Sequence, residues 1–293
     1  MQAPPAAEVV IDAALVGRLL RAQHPEFAEL PLEPLESGWD NAIFRLGEAY
    51  CVRLPRRQVA ATLIEHEQRW LSELAPNLPL PIPAPLRIGR PAESYPWNWS
   101  IVPWLPGTAA DREEIHADQA IVLARFLKAL HVAAPQQAPR NPVRGVPLAV
   151  RASLIEERLA RLATRTDLIG PRLRKLWEAA LAAPAVSHST WLHGDLHAQN
   201  VLVQDGRLSA IIDWGDVCQG DCATDLAAIW MWLPNAASRA AAIEGYRADA
   251  ATWQRARGWA IAFGAILLET GLNGNPRHAA IGARALRQVC EGP

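Results

Sequence analysis

Several polar side chains lie close together in the segment "HGDLHAQN", which runs from His193 to Asn200. A second acidic segment, "DWGD", begins at Asp213. Carboxamide and carboxylate oxygens, which Asn200 and Asp213 carry, suit a hard cation such as Mg²⁺ that also shares phosphate oxygens. Asp195 would then be available to orient a hydroxyl group or to accept its proton. These residue types therefore indicate metal-assisted chemistry on an alcohol.

The chain between the two segments predicts the element that brings them together. The stretch "VLVQDGRLSAIID" is typical of two short strands joined by Asp205-Gly206, a dipeptide favoured in tight hairpin turns. Because a hairpin folds back on itself, we expect its ends, at Asn200 and Asp213, to meet. The side chains of Asp195, Asn200 and Asp213 can then face one small volume.

The surrounding pattern predicts an α+β fold with two lobes. The first third of the chain is rich in predicted strands, with two or three between residues 32 and 55 and a tryptophan-rich strand near residue 100. We expect a small β-rich N-terminal lobe, 1–103, with one helix packed on it, and a larger, mainly helical lobe, 104–293. Helices are predicted at 12–23, 58–75, 114–133, 148–165 and 171–183, with several more after residue 225.

Two motifs resemble a known family. The pattern His193-x-Asp195-(x4)-Asn200 followed by Asp213 resembles the catalytic loop and the metal-binding aspartate of the protein-kinase-like fold. A glycine follows the histidine and a tryptophan follows the second aspartate, where protein kinases usually carry Arg and Phe. This sequence pattern, "HGDLHxxN…IIDW", is similar to that of the aminoglycoside phosphotransferase family in particular. The order of elements resembles that family from about residue 30 to about residue 270.

The resemblance implies a bilobal protein-kinase-like fold and transfer of the γ-phosphate of ATP, with magnesium, to a hydroxyl group of a small molecule. Asp195 would orient and deprotonate that hydroxyl, while Asn200 and Asp213 would hold Mg²⁺ on the ATP phosphates. His193 would brace the loop. Asp225, in "GDCATDLA", would cap its helix and tie down the catalytic loop by accepting backbone N–H bonds. The N-terminal lobe would bind the nucleotide, and the C-terminal lobe would carry catalysis and bind the acceptor.

The strand lysine that holds the nucleotide phosphates in protein kinases has no obvious counterpart. The chain has two lysines, Lys128 and Lys175, and both fall on predicted helices of the larger lobe. Arg53, in the strand "AYCVRLP", stands where that lysine is expected. A guanidinium group can also form a two-point contact with phosphate oxygens, although the exchange is not neutral. The alternative is that Arg53 is a solvated strand residue.

Glu67 supplies an independent reason to place Arg53 inside the lobe. Glu67 lies in the middle of an apolar stripe on the helix that follows the strand, whereas Glu65 points the opposite way. A buried carboxylate without a cationic partner costs on the order of several kcal/mol. We therefore expect Arg53 to pair with Glu67, unless Glu67 reaches the edge of the helix. The stripe consists of Val59, Leu63, Trp70 and Leu74.

The remaining nucleotide contacts are expected at a turn and at a connector. The turn in "ESGWDNAIF" has a single glycine where protein kinases have three, and its candidate phosphate-binding residues are Ser37, Gly38 and Asn41. The alternative is an ordinary hairpin turn. Adenine is expected against "SIVPWLPG", where backbone groups of Val102 and Trp104 would bind it. The proline between them has no N–H, which limits the positions that can donate.

The acceptor is less constrained by the sequence. Aminoglycosides are polycations and favour an acidic pocket, but the last helices carry few acids and several tryptophans, which suit an apolar compound or the face of a sugar better. The stretches "VRLPRR" and "LAPNLPLPIPAP" are also similar to the macrolide phosphotransferase branch. We expect an antibiotic-like or sugar-like acceptor, with Asp216 and Asp221 as candidate acceptor-side acids. The acids and tryptophans of the last helices are Glu244, Asp249, Glu269, Trp230, Trp232, Trp253 and Trp259.

Two other classes of protein share part of this pattern. His193, Asp195 and His197 alternate as "HxDxH", which could ligate zinc or a metal pair in a hydrolase. No further cluster of His and Asp supplies the missing ligands, and the spacing of Asn200 and Asp213 would then be a coincidence. The second alternative is a kinase-like module that binds a nucleotide without catalysis, which only the exchange of lysine for arginine supports. Under the kinase hypothesis, His197 is expected to be a loop residue at the surface.

Composition and charge indicate the class of protein, its partners and its location. Half of the 293 residues are hydrophobic and a fifth are charged, which is typical of a globular protein. The net charge of −1 and the lack of a basic run argue against a nucleic-acid partner. No signal peptide or bilayer-spanning stretch is recognisable, so we expect no membrane association and a cytoplasmic location. The four cysteines are expected to be buried side chains rather than a disulfide framework. The sequence indicates no oligomeric state.

Overall fold

The structure, a computed structural model, divides the chain into two compact units. One contains the described residues of Ala3–Asn77 and Pro81–Pro106, and the other contains Leu78–Leu80 and the described residues of Gly107–Pro293. The first unit is rich in β-structure and the second is mainly helical, as predicted. The functional division predicted at residue 103 stays a prediction. The described residues are 6–35, 38–186 and 188–292.

The N-terminal unit contains a five-stranded sheet. Its strands are β1 (Leu32–Pro34), β2 (Asn41–Leu46), β3 (Tyr50–Pro55), β4 (Arg87–Gly89) and β5 (Trp99–Pro103). They are antiparallel throughout and follow the order β1-β2-β3-β5-β4. Every second residue of β2 is buried, which is the alternation of a strand with one face on the core. The turn between β2 and β3 contains Gly47 with a φ of +58°, a conformation that glycine adopts readily.

Two helices pack against this sheet. α1 (Ala13–Gln23) begins after Asp12, whose side chain accepts the N–H of Leu15 at 2.7 Å. Its apolar face joins the sheet in one core, so α1 is a second packed helix where the sequence predicted one. α2 (Gln58–Leu74) follows β3 directly and contacts β3 and β5. The shared core includes Leu15, Val16, Leu19, Leu20, Phe44, Val52, Leu54 and Trp99.

Helices form most of the C-terminal unit. They are α3 (Gln119–Leu130), α4 (Leu148–Ala163), α5 (Pro171–Ala182), α6 (Ala223–Leu226), α7 (Ala228–Trp232), α8 (Ala236–Tyr246), α9 (Ala250–Leu272) and α10 (Pro276–Glu291). α9 spans 23 residues and packs against α4, α5 and α10. Trp230, Trp232 and Trp259 are fully buried, so these tryptophans fill the core. Among the residues that the structure describes, no helix has the length and apolar character needed to cross a membrane.

Two small antiparallel ladders interrupt these helices. One has the order β6-β8-β9, from β6 (Thr108–Ala109), β8 (Val201–Gln204) and β9 (Arg207–Ile211), and the other pairs β7 (Thr190–Leu192) with β10 (Cys218–Gly220). The turn between β8 and β9 is formed by Asp205 and Gly206 with φ of +53° and +72°, so the predicted hairpin is confirmed. The two polar segments of interest lie between these ladders.

The expectation of four buried cysteines without a disulfide framework is confirmed for Cys51 and Cys218, and burial is only partial for the other two. None is in a disulfide, and Cys51 and Cys218 are buried, while Cys222 and Cys290 are half-buried. Burial raises the pKa of the Cys222 thiol to about 11, so this thiol stays protonated near neutral pH.

Candidate active site

The β8–β9 hairpin joins the two polar segments of the C-terminal unit. Val201 pairs with Ile211 in the ladder, and the N–H of Ile212 donates to the carbonyl of Asn200 at 2.9 Å. Asn200 therefore lies beside the residue that precedes Asp213. At the other end of the segments, β7 pairs with β10. The "HGDLHAQN" segment and the "DWGD" segment are thus held together on both sides.

Asp225 fixes the beginning of the loop. Its carboxylate accepts the N–H of His193 at 2.7 Å and the N–H of Gly194 at 2.9 Å, which confirms the predicted tie. The predicted cap is wrong, because Asp225 lies inside α6 and the N–H of Ala223 is accepted by Asp221 instead. Gly194 has a φ of +88°, and a Cβ atom there would lie 2.5 Å from a backbone oxygen of the "DWGD" segment. Only glycine fits this close approach.

His193 is buried and uses both ring nitrogens within the protein. Nδ1 accepts the N–H of Asp195 at 3.2 Å, and Nε2 donates to the carbonyl of Ile212 at 2.9 Å. The ring lies 4.7 Å from that of Trp214, centre to centre. His193 therefore links the two segments, which is the bracing geometry expected of it. With both nitrogens occupied it cannot be a zinc ligand, so the "HxDxH" hypothesis of a hydrolase is wrong for this residue.

Asn200 and Asp213 present the two oxygen groups expected to hold a metal. Nδ2 of Asn200 donates to the carbonyl of Asp195 at 2.9 Å, which directs Oδ1 away from that carbonyl. Asp213 is exposed and has a φ of +60°, in the left-handed region. Non-glycine residues in this region cluster at functional sites, because the surrounding structure must hold them there. A role of either residue as a magnesium ligand stays a prediction.

Asp195 lies between two cationic side chains. Its Oδ1 accepts from Nη2 of Arg144 at 3.1 Å, and its Oδ2 lies 3.4 Å from Nε2 of His197. Burial favours the neutral form, but the charges of His197 and Arg144 outweigh it and hold the pKa of Asp195 well below its usual range. The half-buried carboxylate is therefore ionised at neutral pH. His197 itself is buried, so the expectation that it lies at the surface is wrong.

Arg144 is the site residue that the sequence analysis missed. It lies in the connection between α3 and α4, where Oδ1 of Asn141 accepts its N–H at 3.1 Å. The connection is held against the β7–β10 ladder, since the carbonyl of Gly145 accepts the N–H of Asp221 at 2.9 Å. A Cβ atom on Gly145 would lie 2.6 Å from the side chain of Leu192. An Asn followed by Pro and Gly does indicate a turn, but nothing local relates it to an acid 51 residues later.

The two candidate acceptor-side acids have different surroundings. Asp216 is half-buried, accepts from Asn141 at 2.6 Å and lies 3.8 Å from Nε of Arg144. Burial, which Arg144 opposes, raises the pKa of Asp216. Asp221 is buried and forms a two-point ion pair with Arg255, at 2.6 and 3.3 Å. The prediction for Asp221 is therefore wrong: it is a structural partner of α9, with no oxygen left for an acceptor.

In the N-terminal unit, Arg53 and Glu67 form the predicted pair. Nη1 and Nη2 of Arg53 donate to the two carboxylate oxygens of Glu67 at 2.6 and 3.1 Å. The residues are 7% and 1% exposed, so both charges are removed from solvent. The stripe around Glu67 was predicted imperfectly, because Val59 is 61% exposed and Leu63 only half-buried. The pairing is confirmed, and a phosphate-binding role of Arg53 stays a prediction.

The turn before β2 is held by two arginines that follow β3. Nη1 of Arg56 donates to the carbonyl of Gly38 at 3.0 Å, and Nη2 of Arg57 donates to Asp40 at 2.9 Å. The N–H of Gly38 donates to the carbonyl of Asn41 at 3.0 Å, which closes the turn. The third candidate of this turn, Ser37, lies outside the described residues. Phosphate binding by Gly38 and Asn41 stays a prediction.

The connector at the end of β5 offers fewer donors than expected. Val102 is buried and pairs with Cys51 of β3. The N–H of Trp104 donates to the carbonyl of Ala49 at 2.8 Å, so this N–H is already used and its prediction as an adenine donor is wrong. The Trp104 ring is partly exposed and lies under the guanidinium of Arg45, 3.8 Å from it. Adenine binding by the other backbone groups stays a prediction.

Comparison with known proteins identifies the family. The model of the phosphotransferase enzyme family matches residues 31–259, which is most of the chain. The chain belongs to this family. The resemblance inferred from the "HGDLHxxN…IIDW" pattern is therefore confirmed. The matched residues include every candidate site residue discussed above.

Solved structures of this kind of enzyme share the fold. The GDP complex of aminoglycoside 2'-phosphotransferase-IIIa superposes with a TM-score of 0.69 at 17% identity, over 96% of this chain and 99% of that one. Macrolide 2'-phosphotransferase MphH from Brachybacterium faecium superposes with a TM-score of 0.59 at 24% identity, over 94% and 97%. At these identities the likeness shows the fold, and it confirms the predicted protein-kinase-like class.

A curated relative is similar over a short stretch. Hygromycin-B 4-O-kinase from Escherichia coli is 39% identical over 59 residues, which are 20% of this chain and 16% of that protein. The match spans about a sixth of the relative. It agrees with the family assignment, but it is too short to indicate which substrate this chain uses.

Proposed function

We propose that the protein transfers the γ-phosphate of ATP, with magnesium, to a hydroxyl group of a small molecule. One observation carries this proposal. The side-chain amide of Asn200 donates a hydrogen bond to the backbone carbonyl of Asp195, and the backbone carbonyl of Asn200 accepts one from the residue before Asp213. This arrangement supports one polar site of the C-terminal unit to which all three residues contribute. Membership of the phosphotransferase enzyme family supports the same reaction.

Asn200 and Asp213 fit a magnesium ion by the chemistry of their donor atoms. A carboxamide oxygen and a carboxylate are hard ligands, and Mg²⁺ usually takes one or two protein groups together with phosphates and water. Within the described ranges, no group of three His, Cys, Asp or Glu side chains could hold a metal ion on its own. This fits an ion shared with a nucleotide better than a zinc centre. When bound, the ion would neutralise charge on the transferring phosphate.

Asp195 is suited to orient the acceptor hydroxyl group. A carboxylate that Arg144 and His197 keep ionised is a ready hydrogen-bond acceptor for an O–H group. It is also a weak base, so we assign it orientation first and acceptance of the proton as the new O–P bond forms. Phosphoryl transfer passes through a loose transition state, in which positioning and charge neutralisation contribute more than strong base catalysis.

Arg53 is proposed to hold the phosphates of the nucleotide. Its two-point contact with Glu67 fixes the guanidinium, so that the charge is oriented before the nucleotide binds. Arginine keeps its charge when buried more reliably than lysine does, which suits a position that is 7% exposed. Gly38, Asn41 and Val102 are proposed as backbone contacts of the nucleotide.

The finer identity of the acceptor is part of the proposal. The proteins that share the fold include aminoglycoside phosphotransferases solved with kanamycin and with gentamicin, as well as a macrolide 2'-phosphotransferase. These compounds share hydroxyl groups on sugar rings, which supports a sugar-like or antibiotic-like acceptor here. A location in the cytoplasm is likewise proposed. Asp216 is the remaining candidate acceptor-side acid.

The substitution Asp195→Asn tests the function. It keeps the shape of the side chain and removes its charge, so turnover should fall by about 10²–10⁴-fold while the affinity for Mg-ATP changes by less than about threefold. Asp205→Asn, in the hairpin turn, is the matched control and should keep full activity, since Asn suits that turn. Transfer of ³²P from ATP to a panel of sugars, macrolides and simple alcohols measures turnover, and calorimetry measures binding. Equal turnover of Asp195→Asn and the wild type would remove Asp195 from the reaction.

A further inference from the structure

A buried histidine lies behind the carboxylate that anchors the "HGDLHAQN" segment. His131 directly follows α3, and its side chain is 2% exposed. Nε2 of its ring lies 3.3 Å from Oδ2 of Asp225, the same oxygen that accepts the N–H of His193 at 2.7 Å. Oδ1 of Asp225 accepts the N–H of Gly194 at 2.9 Å. The carboxylate is therefore held between the segment on one side and His131 on the other.

The second ring nitrogen of His131 is held by a tyrosine from another helix. Nδ1 lies 2.8 Å from the hydroxyl oxygen of Tyr246, the last residue of α8, and α8 packs against α3. A carboxylate can only accept hydrogen bonds, so Nε2 must carry the hydrogen that Asp225 receives. Nδ1 of the neutral ring is then an acceptor, and it takes the hydroxyl hydrogen of Tyr246. Tyr246 therefore selects the tautomer of His131 that donates to Asp225.

Tyr246 is itself fixed by aromatic packing. Its ring meets that of His131 edge-on, with the centres 5.6 Å apart, and that of Trp253 on α9 at 5.8 Å. Trp253 packs in turn on the fully buried Trp230, with the ring centres 6.2 Å apart. Burial raises the pKa of Tyr246, so its hydroxyl keeps its proton near neutral pH. The hydroxyl is thus a donor that the surrounding rings aim at His131.

The chain of contacts ends at the acid proposed to orient the acceptor. Gly194, whose N–H is held by Asp225, immediately precedes Asp195, and Nδ1 of His193 accepts the N–H of Asp195 at 3.2 Å. Each contact between the hydroxyl of Tyr246 and the backbone of Asp195 is a hydrogen bond of 2.7 to 3.3 Å. Misplacing a reacting group by about 1 Å can lower turnover by about 10²-fold. Contacts that fix this backbone therefore bear on the rate.

We infer that Tyr246 is a positioning residue for phosphoryl transfer, which acts through His131 and Asp225 on the backbone of Asp195. The inference rests on the proposed function and deepens it by naming a residue outside the two polar segments that sets their geometry. Without the hydroxyl, Nδ1 of His131 would be buried without a donor, so the ring would turn or adopt the other tautomer. Asp225 would then lose one of the three N–H donors named above and hold the segment less tightly.

Tyr246→Phe removes the hydroxyl and keeps the ring. The acceptor is the alcohol with the highest turnover in the panel of sugars, macrolides and simple alcohols, and transfer of ³²P from ATP gives kcat and KM. We expect kcat to fall by about 3–10-fold and the KM for ATP to stay within about twofold, because the lost contact positions Asp195 and no group of the nucleotide.

Tyr95→Phe is the matched control. Tyr95 also has a buried hydroxyl, which donates to the carbonyl of Pro55 at 2.9 Å in the N-terminal unit. Both variants lose one buried hydrogen bond and should lower Tm by about 2–6 °C, but Tyr95→Phe should keep the wild-type kcat. An unchanged kcat in Tyr246→Phe, or an equal loss of kcat in the two variants, would overturn the inference.

His131→Gln decides whether Tyr246 acts along this route. The amide nitrogen of Gln takes the place of Nε2 and can donate to Asp225 without a choice of tautomer. The loss of kcat caused by Tyr246→Phe should therefore shrink to less than about 1.5-fold in the His131→Gln background, the non-additivity of residues that act as one unit. The same loss in both backgrounds would show that Tyr246 acts by another path, and the inference would be wrong.

The tautomer of His131 is measured separately, so this result depends neither on turnover nor on a variant of Tyr246. In protein labelled with ¹⁵N-histidine, the signals lost in His131→Gln identify its ring nitrogens. They should show a hydrogen on Nε2 and none on Nδ1 near neutral pH, and a hydrogen on Nδ1 would overturn the inference. Failure of the proposed function has a different appearance: no alcohol would be phosphorylated, while His131 would still show the stated tautomer.

Discussion

Two arginine–carboxylate pairs, one in each unit, differ in how completely they are enclosed. Arg53 and Glu67 are joined by two hydrogen bonds and are almost fully buried. Arg144 and Asp195 are joined by one, at 3.1 Å, and their side chains are 16% and 24% exposed. Each member of the second pair also has another partner, since Asp216 lies beside Arg144 and His197 lies beside Asp195.

The difference separates a pair that holds a position from a pair that can react. Two buried charges cannot exchange partners without a large desolvation cost, so Arg53 and Glu67 keep one geometry. A carboxylate that is partly exposed and shared between two cations can accept a third hydrogen bond at little cost. Asp195 is therefore able to receive a substrate hydroxyl, whereas Glu67 is not. The same residue types thus differ, because of their burial, in whether they can accept a further hydrogen bond.

Glu67→Gln should break the enclosed pair and have the largest effect on stability. It leaves the Arg53 guanidinium buried without an anion, which typically costs about 3–5 kcal/mol. Urea unfolding followed by tryptophan fluorescence measures the loss. Glu65→Gln, an exposed change on the same helix, is the control and should stay within about 0.5 kcal/mol. Equal losses in the two variants would show that the pair contributes nothing to the fold.

Arg144→Gln should reduce turnover much more than it reduces the stability of the fold. Because the pair is partly exposed, we expect a loss of about 1 kcal/mol on unfolding. Turnover should fall by about 10–100-fold, since Asp195 loses the contact that orients it. The effect should appear in kcat rather than in the KM for ATP, and Arg144→Lys should recover part of it. Arg140→Gln, an exposed residue of the same connection, is the control. Unchanged kcat would make the pair purely structural.

Arg57→Gln extends the comparison to an exposed pair and should have the smallest effect. Arg57 and Asp40 are 2.9 Å apart with side chains 22% and 38% exposed. Pairs of this kind contribute about 0.2–1 kcal/mol, and salt screens them. The destabilisation should therefore shrink between low salt and about 1 M salt, while that of Glu67→Gln persists. A salt-independent loss larger than that of Arg144→Gln would contradict the ordering by burial.

Local sequence patterns were sufficient for part of the site. The hairpin follows from Asp205-Gly206 between two apolar runs, and it brings Asn200 beside the residue before Asp213. The pair of Arg53 and Glu67 follows from the cost of a carboxylate on a buried helix face. Each of these predictions needed only the chemistry of a few neighbouring residues and the period of one element.

Other features depended on tertiary contacts that no local pattern contains. Arg144 reaches Asp195 across 51 residues, and His197 is buried by packing against the rest of the unit. Asp221 appeared to be an acid near the site, but its partner Arg255 lies on a helix 34 residues later. Val59 was assigned to the buried stripe by its spacing, yet its side chain faces solvent in the first turn of α2.

The central claim is that Asn200 and Asp213 share one divalent ion next to Asp195. A crystal structure with Mn²⁺ and a non-hydrolysable ATP analogue tests it most directly, because manganese is located by its anomalous scattering. We expect the anomalous peak within about 2.0–2.3 Å of Oδ1 of Asn200 and of a carboxylate oxygen of Asp213, with Asp195 outside the coordination shell. A peak bound to neither Asn200 nor Asp213 would contradict the account.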